Sequence, residues 1–271
     1  MIRLLAAALL LWNLGAPAFA QTEQPAASKP ADRIQSTGPV GQKRPTARSQ
    51  QACQLGLISI VGNKFEMTDI GPFDLAFTVK YSHGRADWGL DDVVLARVRA
   101  AAPGLNVQNI AYDKEELHRA AQEHGLFRSF ANEIRDFARQ TAAKTHCERY
   151  IVVHRRTAQI DGRPAVAVGF GLIRLRSMLG KETAYLHALT SVRIYDGNFE
   201  LIKAAPASMG DDPGPFEVPK NYKPVRGPAR QIDIASLPAT PQQAAQNPAY
   251  RASVESLLAT SLDKTLPGLL R

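Results

Sequence analysis

The chain has two cysteines, and each stands directly before a short apolar run: Cys53 before residues 55–61 and Cys147 before residues 150–153. Both runs read as buried strands, because they are apolar at consecutive positions rather than alternate ones. If the two are parallel neighbours in one sheet, the cysteines lie at the same edge, within the Cα separation of about 4.4–6.8 Å that a disulfide requires. This placement predicts a Cys53–Cys147 bridge and a parallel pairing between the two halves of the chain. Two separately buried thiols are the alternative. A metal site using His146 and Cys147 is weaker, since a structural zinc site wants four ligands at set spacings and no second cysteine pair is present. No metal and no cofactor is expected.

A disulfide needs an oxidising compartment, and the N-terminus carries a matching address. Arg3 gives a positive start, residues 4–12 a short apolar core, and Ala18-Phe19-Ala20 a small-x-small cleavage site before Gln21. Residues 1–20 read as a signal peptide, which makes the mature protein periplasmic or secreted. The apolar run is shorter than the roughly 20 residues of a membrane helix, and no later segment reaches that length, so no transmembrane segment is expected. Neither cysteine follows the cleavage site directly, which argues against a lipid anchor attached there.

Residues 21–51 contain no aromatic residue and are dense in Pro, Gly, Ser, Thr, Gln and Ala. They bury too little apolar area to offset their ordering entropy and read as a disordered linker. The linker is basic, with five basic and two acidic groups among residues 21–50, and this leaves a mild share of the chain's +8 formal charge for the folded part. Lys43, Arg44 and Arg48 could reach anionic lipid, envelope polymer or nucleic acid. A plain tether that keeps the chain extended is the simpler reading, and export makes nucleic acid an unexpected partner.

Residues 52–271 read as a single domain. After the strand at 55–61, Gly62-Asn63 turns the chain into extended pieces at 65–70 and 73–81, a meander that His83-Gly84-Arg85 breaks. Residues 91–102 have helical spacing through Val94, Leu95 and Val98 and stop at Pro103-Gly104. Residues 105–112 return as a strand, and Asp113 with Glu116 makes a capping box for a short helix ending near Gly125. The clearest helix spans 127–144, with Phe127, Phe130, Ile134, Phe137, Ala138 and Thr141 on one face. Asp161-Gly162 signals a hairpin. The strand at 166–176 sets Val166, Val168, Phe170 and Leu172 on one face and Ala165, Ala167, Gly169 and Gly171 on the other, small enough for a helix to pack closely. A long strand at 184–195 turns at Asp196-Gly197 into residues 199–203.

Nine of the 18 prolines fall between 206 and 248. That density excludes long helices and central strands, so this stretch reads as a surface excursion with Phe216, Tyr222, Val225, Ile232 and Ile234 as anchors. Residues 250–266 form the last amphipathic helix through Val254, Leu257, Leu258 and Leu262, with Pro267-Gly268 as its stop. The expected class is α/β or α+β: a mixed, largely antiparallel sheet packed against amphipathic helices in a single domain.

The second half resembles a group of exported bacterial envelope domains. These are the curli-secretion lipoprotein, the N-terminal domain of the Tol-system periplasmic protein, and the lipoprotein activators of penicillin-binding proteins. The likeness rests on the helix at 127–144, the strand Cys147-Glu148-Arg149-Tyr150-Ile151-Val152-Val153, the hairpin strands at 166–176 and 185–195, the Asp196-Gly197-Asn198 turn and the return at 199–203. It covers about half of the mature chain and is a pattern of elements rather than a residue motif. A lipidated cysteine is missing, and residues 206–248 have no counterpart. The resemblance implies a non-enzymatic, protein-binding role in the envelope and transfers no functional residue.

The common motifs of exported hydrolases, Gly-x-Ser-x-Gly and His-Glu-x-x-His, are missing, as are a phosphate-binding loop and an EF-hand. Gly169-Phe170-Gly171 lies inside a strand and reads as close packing. His118 and His124, six apart on a helix, point about 120° apart and cannot chelate one ion. Asp91-Asp92 opens a helix, where the dipole favours negative charge. The strongest ligand candidate is a set of cations: His154, Arg155 and Arg156 follow an apolar strand at its C-terminal end, where open α/β sheets hold ligands. Arg174, Arg176 and Arg193 could complete a basic pocket for a carboxylate or phosphate. The same arginines could instead alternate onto a solvated sheet edge and guard it against aggregation. An enzyme assembled from His83, Asp87, His154 and His187 is a third possibility. The first reading remains an exported, non-enzymatic domain that binds another envelope protein or polymer.

Overall fold

A computed structural model describes residues 53–72, 79–113, 130–209 and 223–271. The expected signal peptide and linker, the extended piece at 73–78, and the short helix before Gly125 with His118 and His124 lie outside these residues. So do the first residues of the helix at 127 and the anchors Phe216 and Tyr222.

The described residues form two open five-stranded sheets. The first joins β1 (Cys53–Ile60), β4 (Val107–Asn109), β5 (Cys147–Arg155), β10 (Thr190–Asp196) and β11 (Leu201–Pro206) in the order β11-β10-β5-β1-β4. The second joins β2 (Lys64–Ile70), β3 (Val79–Arg85), β8 (Phe170–Arg176), β9 (Glu182–Ala188) and β12 (Ala229–Ile232) in the order β12-β9-β8-β2-β3. A separate hairpin pairs β6 (Thr157–Gln159) with β7 (Val166–Val168). β1 runs parallel to β4 and β5, and β2 runs parallel to β8. The other pairs are antiparallel. Among the described residues four α-helices pack on this frame: α1 (Leu90–Ala101), α2 (Phe130–Thr141), α3 (Pro241–Gln246) and α4 (Pro248–Leu270).

Strand periodicity sorts side chains into three cores. Leu55 and Leu57 of β1, Phe65 of β2 and Leu172 of β8 turn into one shared core that holds Val94 and Val98 of α1 and Val254, Leu258 and Leu262 of α4. The alternate residues of the first sheet, Ile58, Tyr150 and Val152 among them, pack under Ile134, Phe137 and Ala138 of α2. On the second sheet Ile70, Ile173 and Tyr185 lie under Ala158, Ala167 and Val225. The β6–β7 hairpin and the proline-rich stretch therefore do for one sheet what α2 does for the other. β5 is buried on both faces because it is the middle strand of its sheet, which explains its unbroken apolar run.

Several expected elements take a different form. Residues 83–85 continue β3 rather than break it, because Gly84 lies against the α3 backbone, where a β-carbon would stand 2.9 Å from Pro241. The strand expected at 105–112 is confined to Val107–Asn109. The strand at 166–176 splits at Gly169, whose φ is +59°, and its small face receives no helix. Gly171 instead meets the backbone of Glu66 on the neighbouring strand. The strand at 184–195 splits at Leu189, so β9 and β10 belong to different sheets. The last helix runs through Pro267 to Leu270. Pro267 forfeits one hydrogen bond in the final turn, and Leu269 and Leu270 recover apolar contact with the shared core beyond it. Val225, Ile232 and Ile234 do anchor the proline-rich stretch, Val225 with 1% exposure.

Cys53 and Cys147 are bonded across the parallel β1–β5 pair, with the two residues in direct register and their Cα atoms 4.5 Å apart. No helix among the described residues is long and apolar enough to cross a membrane. The bridge closes a separation of 94 residues. Replacing both cysteines by alanine is expected to lower unfolding free energy by about 2–4 kcal/mol, read from the denaturant midpoint, with the slope unchanged if the native fold persists.

Candidate functional site

Three of the passages between the two sheets lie at the same end of the strands. β1 enters β2 through Val61-Gly62-Asn63, β5 reaches β8 through the β6–β7 hairpin, and β9 enters β10 through Leu189. The registers align them. Ile60 pairs with His154 and Thr190 with Arg155 in the first sheet, and Phe170 pairs with Phe65 and Ala188 in the second. Backbone hydrogen bonds then link the passages. Arg156 N–H donates to the Leu189 carbonyl at 3.0 Å, Gly169 N–H to the Arg156 carbonyl at 3.0 Å, and Leu189 N–H to the Gly169 carbonyl at 2.6 Å. The C-terminal ends of parallel β1 and β5 meet here, the position at which open α/β sheets hold ligands.

Polar side chains converge on this corner. His154 Nδ1–H donates to the Arg155 carbonyl at 2.8 Å, and its Nε2 accepts from Arg193 Nε–H at 3.2 Å. Because a carbonyl only accepts and a guanidinium only donates, the two bonds fix a neutral imidazole with its proton on Nδ1. Burial lowers the His154 pKa to about 4, the Arg155 carbonyl opposes that, and the Arg193 charge adds to it. His187 is neutral in the same tautomer: Nδ1–H donates to the Gly169 carbonyl at 3.0 Å, while Nε2 is buried without a partner. Burial again holds its pKa near 4, with the Arg155 charge as a further lowering influence.

Arg155 threads between these groups. Its Nη2 donates to Glu66 Oε1 at 3.3 Å and to the Val168 carbonyl at 3.4 Å, and its guanidinium lies 5.6 Å from the centre of the Phe170 ring. Lys64 also reaches Glu66, at 3.1 Å. Arg156 donates to the Arg226 carbonyl and pins the proline-rich stretch. Nearby, Ser59 Oγ–H donates to Asp91 at 2.8 Å, and the carboxylate sits in the first turn of α1. Burial, reinforced by the Asp91 charge, pushes the Tyr112 phenol well up, so it stays protonated.

Arg174 and Arg176 stand elsewhere. Arg176 is six residues beyond Phe170 along β8, about 20 Å at strand spacing. The pair faces two carboxylates: Arg174 contacts Glu182 at 2.8 Å and Asp69 at 3.8 Å, and Arg176 contacts Asp69 at 3.4 Å and Glu182 at 3.9 Å. The six candidate cations thus divide between the corner, which holds His154, Arg155, Arg156 and Arg193, and this four-membered ion cluster.

The four residues considered for an enzyme share no open surface. His83 is exposed on the edge strand β3, Asp87 accepts from Arg85 and Asn63, and His154 and His187 are buried. Cys147 is in the disulfide and cannot bind metal beside His146. Among the described residues no group of three His, Cys, Asp or Glu side chains is placed to hold a metal ion. Glu66 and Tyr112 were not singled out by sequence, and Asp91 was read only as favoured by the helix dipole, without its bond from Ser59. Glu66 alternates with buried Phe65 and Met67 along β2.

No protein-family model matches the chain, and no curated protein matches it.

A β-carbon on Gly169 would lie 2.1 Å from Arg155 Nε, and the residue already has left-handed φ. Gly169→Ala is therefore expected to cost about 2–4 kcal/mol in a denaturant titration, and a loss under ~0.5 kcal/mol would show that the corner relaxes freely. Acid should weaken the same corner. Well above pH 6.5 both imidazoles are neutral in the folded and unfolded chain. As pH falls towards 4, the unfolded chain takes up protons that the folded chain refuses, and stability drops on the order of 3 kcal/mol per histidine. Unfolding followed between these limits should show a shallower loss for the double variant His154→Gln/His187→Gln. An identical slope would assign the acid sensitivity to other groups.

Proposed function

We propose that this protein is an exported, non-enzymatic envelope domain that binds another envelope protein or polymer. The observation that carries the reading is how the candidate cations are already partnered. Arg174 and Arg176 face Asp69 and Glu182, Arg155 faces Glu66, and Arg193 is engaged with a neutral imidazole. An incoming anion would have to displace internal counter-charges, at a desolvation cost that a surface site avoids. Apolar side chains, by contrast, stand in water on β11, where Leu201 and Ile202 are half exposed at the open edge of the first sheet. An edge strand with such side chains suits the addition of an extended segment from a partner, main chain to main chain. The disulfide supports export, because such bonds persist in oxidising compartments.

Intact mass of the protein recovered from the envelope is expected to correspond to cleavage after Ala20. In a pull-down from envelope extracts, the native chain should retain a partner that the Leu201→Lys/Ile202→Glu variant loses at unchanged melting temperature. Phosphate and citrate should leave that temperature unmoved. A stabilising shift with either anion, abolished by Arg193→Ala, would favour an anionic ligand at the corner instead.

A further inference from the structure

The β8–β9 connection, Ser177 to Lys181, is a tightly pinned turn. Ser177 N–H donates to the Lys181 carbonyl at 2.8 Å, Gly180 N–H to the Ser177 carbonyl at 3.1 Å, and Lys181 N–H to Ser177 Oγ at 3.0 Å. Gly180 takes the left-handed position with φ +75°. The ion cluster of Arg174, Arg176, Asp69 and Glu182 braces the strands at its base. Ser177 and Gly180 satisfy what the turn requires, so the two residues between them are unconstrained by its geometry and are ordinarily polar. Here they are Met178 and Leu179, exposed by 71% and 96%. A stiff support presents two apolar side chains to solvent at its outermost point.

We propose that this tip inserts into the anionic surface of a lipid bilayer. A protein interface of ordinary size needs about 800 Å² from each partner, far more than one narrow convex tip supplies. A lipid surface needs no preformed pocket and accepts two apolar side chains directly. Charge points the same way. Exposed Lys181 lies two residues beyond Leu179, and with Arg174 and Arg176 against Asp69 and Glu182 the tip carries more positive than negative groups. Two side chains alone give only weak, reversible attachment, and stable attachment takes a second signal. Lys181 supplies part of it by attraction to acidic headgroups.

Sedimentation of the protein, purified after export, with vesicles of phosphatidylglycerol or phosphatidylcholine tests this. Binding is expected to the first, to fall with salt, and to be slight with the second. Met178→Ser/Leu179→Ser should weaken it roughly tenfold or more at unchanged melting temperature. In Leu179→Trp, phosphatidylglycerol vesicles should shift emission to the blue and brominated acyl chains should quench it, against the constant background of buried Trp88. Equal binding by the serine variant overturns the proposal, as does unshifted emission in the bound state. Emission that responds to envelope proteins and not to vesicles would assign the tip to a protein partner and equally overturn it.

Discussion

Gly169 donates its N–H to Arg156 and accepts from both Leu189 and His187, with the Arg155 guanidinium lying where a β-carbon would stand. Two sheets that exchange three strand connections at one end need a residue that turns sharply and leaves room for the chain crossing it. Glycine alone meets both demands at positive φ. From this residue follow the break between β7 and β8, the burial of Arg155 against Glu66, and the seat of His187. The packing of Phe65, Trp88 and Phe170 beneath the corner depends on it too, with ring centroids 5.4–6.4 Å apart.

The corner also shows how a fold accommodates charge in its interior. Arg155 is compensated by the Glu66 carboxylate, the Val168 carbonyl and the Phe170 ring face, while the neighbouring imidazoles stay neutral, which spares the corner further buried positive charge. Each group is acceptable because of the others. A change at any one of them is felt by residues far apart in sequence, such as Glu66 and His187, which flank Gly171 on either side and both feel the Arg155 charge.

Local order was legible in the sequence where a single strand or helix decided it. The apolar runs after Cys53 and Cys147, the Asp161-Gly162 and Asp196-Gly197 turns and the stripe of α4 all carry their signal within a few neighbouring residues. The breaks at Gly169 and Leu189 do not, because both stretches keep strand-like alternation through the point where the chain changes sheets. Gly84 reads as a breaker until the α3 backbone lies against it. The candidate cations show the same limit at the level of the site. Arg174 and Arg176 alternate along β8 as a pair of surface arginines would, and their counter-charges come from β2 and β9, which only the sheet order brings alongside.

The interleaving of the two halves has a kinetic consequence. β1 must wait for β5 and β2 must wait for β8, so the first sheet is missing its centre until residue 155 has been made and the second until residue 176. Such distant parallel pairings form slowly, since loop closure precedes the contacts that reward it. A chain growing from its N-terminus therefore stays without a completed sheet for most of its synthesis. That interval leaves the chain open while it is made, with the delay set by strand order.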